Sequence, residues 1–162
     1  MMPKVAVIMG SGSDMPALEA GVNRLLSFGI EADVRIMSAH RTPDRAAEFA
    51  KRAAADGYDA IIAAAGKAAH LPGVLAAFTT LPVIGIPMKS SFMDGMDSLL
   101  SIVQMPAGVP VATVGVDASE NAAILAAQML ALRYPELSVK LASFKSDMAQ
   151  KVIEADEKLE RR

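Results

Sequence analysis

Five short runs rich in β-branched and apolar residues, "KVAVIM", "ADVRIM", "YDAIIAAA", "LPVIGIP" and "VPVATVGV", recur along the chain with helical patterns between them. Strand and helix in regular alternation leave few solutions: parallel strands need long crossovers, and helices supply them. The expected fold class is α/β, parallel strands joined by crossover helices, with about five strands and their helices complete near Tyr134. With 162 residues, 52% of them hydrophobic, the chain can bury the core of one ordinary domain.

The first helix is expected to be capped by Ser13 or Asp14, to carry Leu18, Val22, Leu25 and Leu26 on one face, and to stop at Gly29. In the second, Thr42 is the N-cap and Pro43 takes the first helical position, where its missing N–H costs nothing. Ala46, Phe49, Ala50 and Ala53 form its stripe and Gly57 ends it. Further helices are expected from about Pro72 to Phe78, around Met96 to Val103, and across "SENAAILAAQMLAL" with Ser119 as cap. The last segment carries Leu141, Phe144, Met148, Val152, Ala155 and Leu159 at helical spacing, supported by Asp147/Lys151 and Glu154/Lys158. Residues 1–134 thus read as the α/β domain. Residues 135–162 read as an appended amphipathic helix that folds back on its own domain or clasps a neighbouring subunit.

A net charge of −2 with scattered basic residues argues against a nucleic-acid or anionic-membrane partner and for a small ligand. The absence of cysteine excludes disulfides and thiolate chemistry, and two histidines alone argue against zinc. No metal is needed. The N-terminal apolar run is too short to span a membrane and lacks a signal core, so the cytoplasm is the expected compartment.

"MGSGSD" follows the first strand and opens the first helix, where backbone N–H groups and the helix dipole favour a phosphate. Ser11 and Ser13 add hydroxyls, and Asp14 suits a ribose hydroxyl. The turn lacks the third glycine of a dinucleotide fingerprint and the lysine of a P-loop, and alone it more often merely caps its helix. Ser38 and Ala39 lead into His40 and Arg41 at the end of the second strand, which brings a second loop to the same edge. Arg41 has the planar fork that holds phosphate or carboxylate. Its place near a helix start, disfavoured by the dipole, points to an anionic partner. His40 is the residue type suited to proton transfer near neutrality, the alternative being a turn histidine bonded to backbone. "AAAGKAAHLPG" brings Gly66, Lys67 and His70 to that edge, with small residues that permit close approach of a ligand; His70 reads equally as a capping or interface residue. "PMKSSFMDGMDSLLSIVQMPAGVP" has the make-up of a loop that closes over a site or packs between subunits.

Together "MGSGSD", "SAHRTPD", "AAHLPG", "TLPVIGIP" and "DSLLSIVQMPAGVPVATV", in this order, resemble the bacterial carboxyaminoimidazole ribonucleotide mutase family of purine biosynthesis. The resemblance implies a flavodoxin-like three-layer α/β/α domain around a central parallel sheet, assembled as a homo-octamer without metal or organic cofactor, that moves a carboxylate from the exocyclic N5 of an aminoimidazole ribonucleotide to ring carbon C4. It carries phosphoribosyl binding onto Ser11, Asp14 and Arg41 and the general acid/base onto His40; Ser13, Ser38, Ala39, Gly66, Lys67 and His70 complete the expected substrate-binding set. It further implies that carbon dioxide is released, trapped and attacked by C4. The chain departs from the family pattern at Gly66-Lys67, where bacterial mutases carry a Gly-Gly pair. A related branch of carboxylases, which joins free carbon dioxide to aminoimidazole ribonucleotide, bears a cation near this point. That activity is the alternative, and a non-catalytic nucleotide-binding module is a third reading.

Overall fold

The computed structural model describes residues 2–160. Strands β1 (Lys4–Met9), β2 (Glu31–Ile36), β3 (Ala60–Gly66), β4 (Val83–Met88) and β5 (Ala112–Thr113) form one sheet in the order β2-β1-β3-β4-β5, every pair parallel. Six α-helices connect and flank them: α1 (Met15–Ser27), α2 (Pro43–Arg52), α3 (Leu71–Phe78), α4 (Met96–Val103), α5 (Ser119–Leu130) and α6 (Pro135–Glu160). This is the flavodoxin-like order, with its switch point between β1 and β3.

Side chains alternate across each strand, so the sheet has a core on either face. Val5, Val7, Met9, Ile62 and Ile86 pack under α1, α5 and the start of α6; Ala6, Ile8, Ile61 and Ala63 pack under α2, α3 and α4. Alanine on β3 lets the helices sit close. At the α1–α5 contact, a Cβ on Gly21 would lie 2.5 Å from the Ser119 carbonyl oxygen, so this position requires glycine.

Several expectations are corrected. Leu26 is 55% exposed, because it lies about 80° around the helix from Leu18 while α5 covers the other flank, through Gly21. Ser119 is not the cap of α5; it is the first helical residue and its hydroxyl donates to the Ala17 carbonyl at 2.6 Å, pinning α5 to α1. The fifth strand shrinks to two residues: it pairs on one side only, and Pro110 just before it has no N–H for a ladder. In α6, Leu141 is buried and Phe144 meets Phe28 edge to face at 5.8 Å, but Met148, Val152 and Leu159 are exposed. The helix folds back along its first half and leaves the domain along its second. Neither Asp147/Lys151 nor Glu154/Lys158 closes within 4 Å; Glu154 instead accepts from Gln150. No described helix is long and apolar enough to cross a membrane.

Candidate active site

The carboxyl ends of β1 to β4 open onto a cavity of about 550 Å³. Four loops line it, and the ten residues singled out from sequence are among them: Ser11, Ser13 and Asp14 after β1; Ser38, Ala39, His40 and Arg41 after β2; Gly66, Lys67 and His70 after β3.

The chain does not pass straight from β1 into α1. Ser11 is extended (φ −149°, ψ 146°) and begins a single 3₁₀ turn, Gly12–Asp14, before the α-helix starts. Ser11 Oγ accepts from the Ser13 N–H at 3.4 Å and lies 2.9 Å from Ser13 Oγ, so the two hydroxyls sit together at the start of α1. Asp14 precedes α1 but makes no capping bond. Burial raises its pKa above the usual carboxylate value, outweighing the hydrogen bonds from Ser13 and the Ser11 backbone; the charge of Asp117 adds to the rise.

Thr42, expected as a side-chain N-cap, makes no such bond. Its hydroxyl is drawn backwards: it accepts from the Ser38 N–H at 3.0 Å and donates to the Ser38 carbonyl at 3.0 Å, while Ser38 Oγ accepts from the Arg41 N–H at 3.2 Å. These bonds close the loop into a rigid turn that presents His40 and Arg41. Arg41 donates to the Gly10 carbonyl at 3.0 Å, tying the first two loops together. Its protein partner is a carbonyl, and no carboxylate of the described residues lies within 4 Å of it.

His40 Nε2 lies 2.6 Å from His70 Nδ1, with the ring planes at 76°. Such a bond needs one donor and one acceptor, so it forms when both rings are neutral or when one is charged, and never between two imidazolium ions. His70 is the residue before α3, not a side-chain cap of it. The loops after β2 and β3 therefore meet over the end of β1, which lies between them in the sheet.

The loop after β4, expected from its make-up to close over a site or pack between subunits, contributes residues not singled out individually from sequence. Lys89, Ser90 and Ser91 line the cavity, with Ala65, Leu71 and Met88 as apolar wall. Lys89 and the serines follow β4 directly, as the other three sets follow their strands, and that position was the available signal; the apolar wall carried none. Ser90 is buried and donates to the Asp97 carboxylate, so its role is to hold the loop, and Lys89 Nζ pairs with Asp94 at 3.4 Å. Among the described residues no cluster of three or more His, Asp or Glu is placed to hold a metal ion.

A family model described as AIR carboxylase matches residues 4–151. The chain belongs to the AIR carboxylase family. It is 52% identical over 158 residues to N5-carboxyaminoimidazole ribonucleotide mutase of Pyrococcus horikoshii, covering 98% of this chain and 89% of that protein. It is 51% identical over 159 residues to phosphoribosylaminoimidazole carboxylase of Schizosaccharomyces pombe, covering 98% of this chain but 29% of that much longer protein. A crystal structure of Treponema denticola PurE, 35% identical, superposes with a TM-score of 0.88 over 97% of this chain and 98% of that one. Family membership accounts for the fold.

Proposed function

We propose that the protein is an N5-carboxyaminoimidazole ribonucleotide mutase of purine biosynthesis, on the route to IMP, as the name of its Pyrococcus relative suggests. The observation that carries the mechanism is the His40–His70 contact in the same cavity as the Ser11–Ser13 turn. The 5′-phosphate sits on that turn, where hydroxyls, N–H groups and the Arg41 guanidinium supply donors, and Asp14 takes a ribose hydroxyl. The imidazole base then reaches the histidine pair, with Ser38, Ala39 and Gly66 lining the path.

In the first step the N5–carboxyl bond breaks, its electron pair stays on N5, and N5 takes a proton from His40. Carbon dioxide is thereby released beside the apolar wall of Ala65, Leu71 and Met88. C4 attacks it and becomes tetrahedral, bearing both hydrogen and carboxylate. His40 then removes the C4 proton, restoring the aromatic ring and its own starting state. One proton leaves and returns, so no cofactor enters the balance. His70 holds the His40 ring in place and, in the neutral pair, fixes which nitrogen carries the proton.

In this reading residues 1–134 carry the chemistry and 135–162 the assembly, a cytoplasmic homo-octamer. Support comes from apolar side chains left exposed: Met96, Leu100 and Val103 along α4, and Val152, Ile153 and Leu159 beyond the docked part of α6. Removing residues 145–162, beyond the part of α6 that packs on the domain, is expected to lower the number of subunits per assembly in solution, and an unchanged number would take that half of α6 out of the assembly. The carboxylase reading keeps one observation in its favour, the Lys67 cation in the cavity wall. Two mixtures separate the readings: carboxyaminoimidazole ribonucleotide without bicarbonate, and aminoimidazole ribonucleotide with high bicarbonate. The mutase forms the C4-carboxylated product in the first; product in the second alone refutes it.

A further inference from the structure

Lys67 combines three features that the mechanism above does not use. Its backbone is left-handed, with φ at 55°, a conformation that favours glycine and is strained for a lysine. It lines the cavity at the end of a strand whose preceding alanines are buried. Its ammonium has no carboxylate within 4 Å and no hydrogen-bond acceptor among the described residues, whereas Lys89 pairs with Asp94 and Arg41 is bonded to Gly10. A strained backbone that sets an exposed lysine without a protein partner at the lining of a site is accounted for by an anion that the site receives.

We infer that Lys67 binds the migrating carboxylate and sets the preference for a carboxylated over an uncarboxylated ribonucleotide; this rests on the mutase reading of the site. Two anionic groups of the substrate compete for the ammonium. The phosphate already has the Ser11–Ser13 turn and Arg41, all on the loops after β1 and β2. Lys67 stands on the loop after β3, three residues before His70, in a turn closed by Ala69 N–H to Lys67 carbonyl (2.9 Å) and His70 N–H to Ala68 carbonyl (2.8 Å). The ammonium therefore shares its short, rigid loop with the proton-transfer end of the site. Its attraction acts on the carboxylate in substrate and product and vanishes when that group becomes neutral carbon dioxide. It contributes binding and selectivity and does not accelerate the release step.

The test is equilibrium binding of 4-carboxy-5-aminoimidazole ribonucleotide and of aminoimidazole ribonucleotide to the wild type, Lys67→Gly, Lys67→Asn and Lys67→Arg. Glycine and asparagine both accept the left-handed backbone without the charge. Expected is a loss of about tenfold in affinity for the carboxylated nucleotide in both, the size of a lost charged hydrogen bond. Affinity for the uncarboxylated one stays within about twofold on the same scale, and Lys67→Arg recovers most of the loss. In turnover, kcat/KM falls through KM. Relief of strain raises the Tm of Lys67→Gly by a few degrees, roughly 2–4 °C for a chain of this size. Equal losses for both nucleotides, no loss for either, or a fall in kcat at constant KM would overturn the assignment. Failure of the wild type to bind either nucleotide would instead overturn the reading of the site on which it rests.

Discussion

The two ends of the parallel sheet treat charge in opposite ways. At the amino ends of the strands, Asp59 accepts from the Lys4 N–H at 3.0 Å, from the Tyr134 hydroxyl at 3.1 Å and from Arg133 at 3.0 Å, and Lys4 Nζ pairs with Glu31 at 3.1 Å. Burial, reinforced by the bond to Asp59, pushes the Tyr134 hydroxyl above its usual range, so it stays a donor. At the carboxyl ends, Lys89–Asp94 and Ser90–Asp97 hold only the loop after β4, while Asp14 is half-buried without a cation, Lys67 is strained and unpaired, and two histidines share one bond. The paired end holds strand starts to α5 and α6, and the unpaired end leaves donors and charges for a ligand. Stability and function are thus separable along the strand axis, and substitutions at the two ends should fail in different ways.

The largest effect is expected from His40→Asn, which keeps size and some hydrogen bonding but cannot carry the proton. Turnover should fall by about 10³-fold, within the range of general acid–base catalysis. Nucleotide binding should persist, and the urea midpoint should change little because His40 is exposed and so is His70, whose ring it meets. Near-normal turnover would remove His40 from the mechanism and erase the functional half of the contrast. The opposite pattern is expected from Asp59→Ala. That carboxylate has a side chain only 10% exposed, and its loss strands the Lys4 N–H and the Tyr134 hydroxyl; roughly 2–3 kcal/mol of stability should disappear, as for other buried charged bonds. Turnover per folded molecule should not change. If turnover fell while the urea midpoint held, the two ends would be coupled through the strands.

The amino end and the layers were readable because periodicity is a property of the chain itself. Val5, Val7 and Met9 must face one way once Ala6 and Ile8 face the other, and a helix that includes Pro43 must start near it, as α2 does. What failed to show was pairing across the fold. Nothing local to Ser119 says that its hydroxyl reaches Ala17, and nothing in "SAHRTPD" says that Thr42 turns back to Ser38 rather than capping α2. The site loops were legible as positions after strands, because a doubly wound sheet delivers those positions to one edge. The His40–His70 bond joins residues 30 apart on loops that meet only through the strand order, with β1 inserted between β2 and β3. Lys67 could be placed in the right loop from sequence, but its left-handed φ and lack of a partner could not be.

The smallest effect, and the sharpest on the contrast, belongs to Asp14→Asn. Asp14 is the site's own carboxylate, and burial raises its pKa above the ordinary value of 3.8. A carboxyl that ionises less readily folded than unfolded opposes folding once ionised. The penalty is absent below the unfolded value, grows as pH rises through the raised folded value, and is full at neutrality. Asparagine has the same shape and no charge, so the variant should be more stable than the wild type at pH 7, with the difference shrinking to nothing as pH falls below about 4. Its affinity for the ribonucleotide should drop by about tenfold, one charge-assisted hydrogen bond to a ribose hydroxyl. Urea unfolding across pH 3 to 8, with nucleotide binding at pH 7, measures both. A gain in stability with a loss of binding is what a carboxylate kept for its ligand produces. A loss of stability at neutral pH would mean that Asp14 is held by the Ser13 bonds more strongly than it is opposed by burial, and the carboxyl end would then be stapled much as the amino end is.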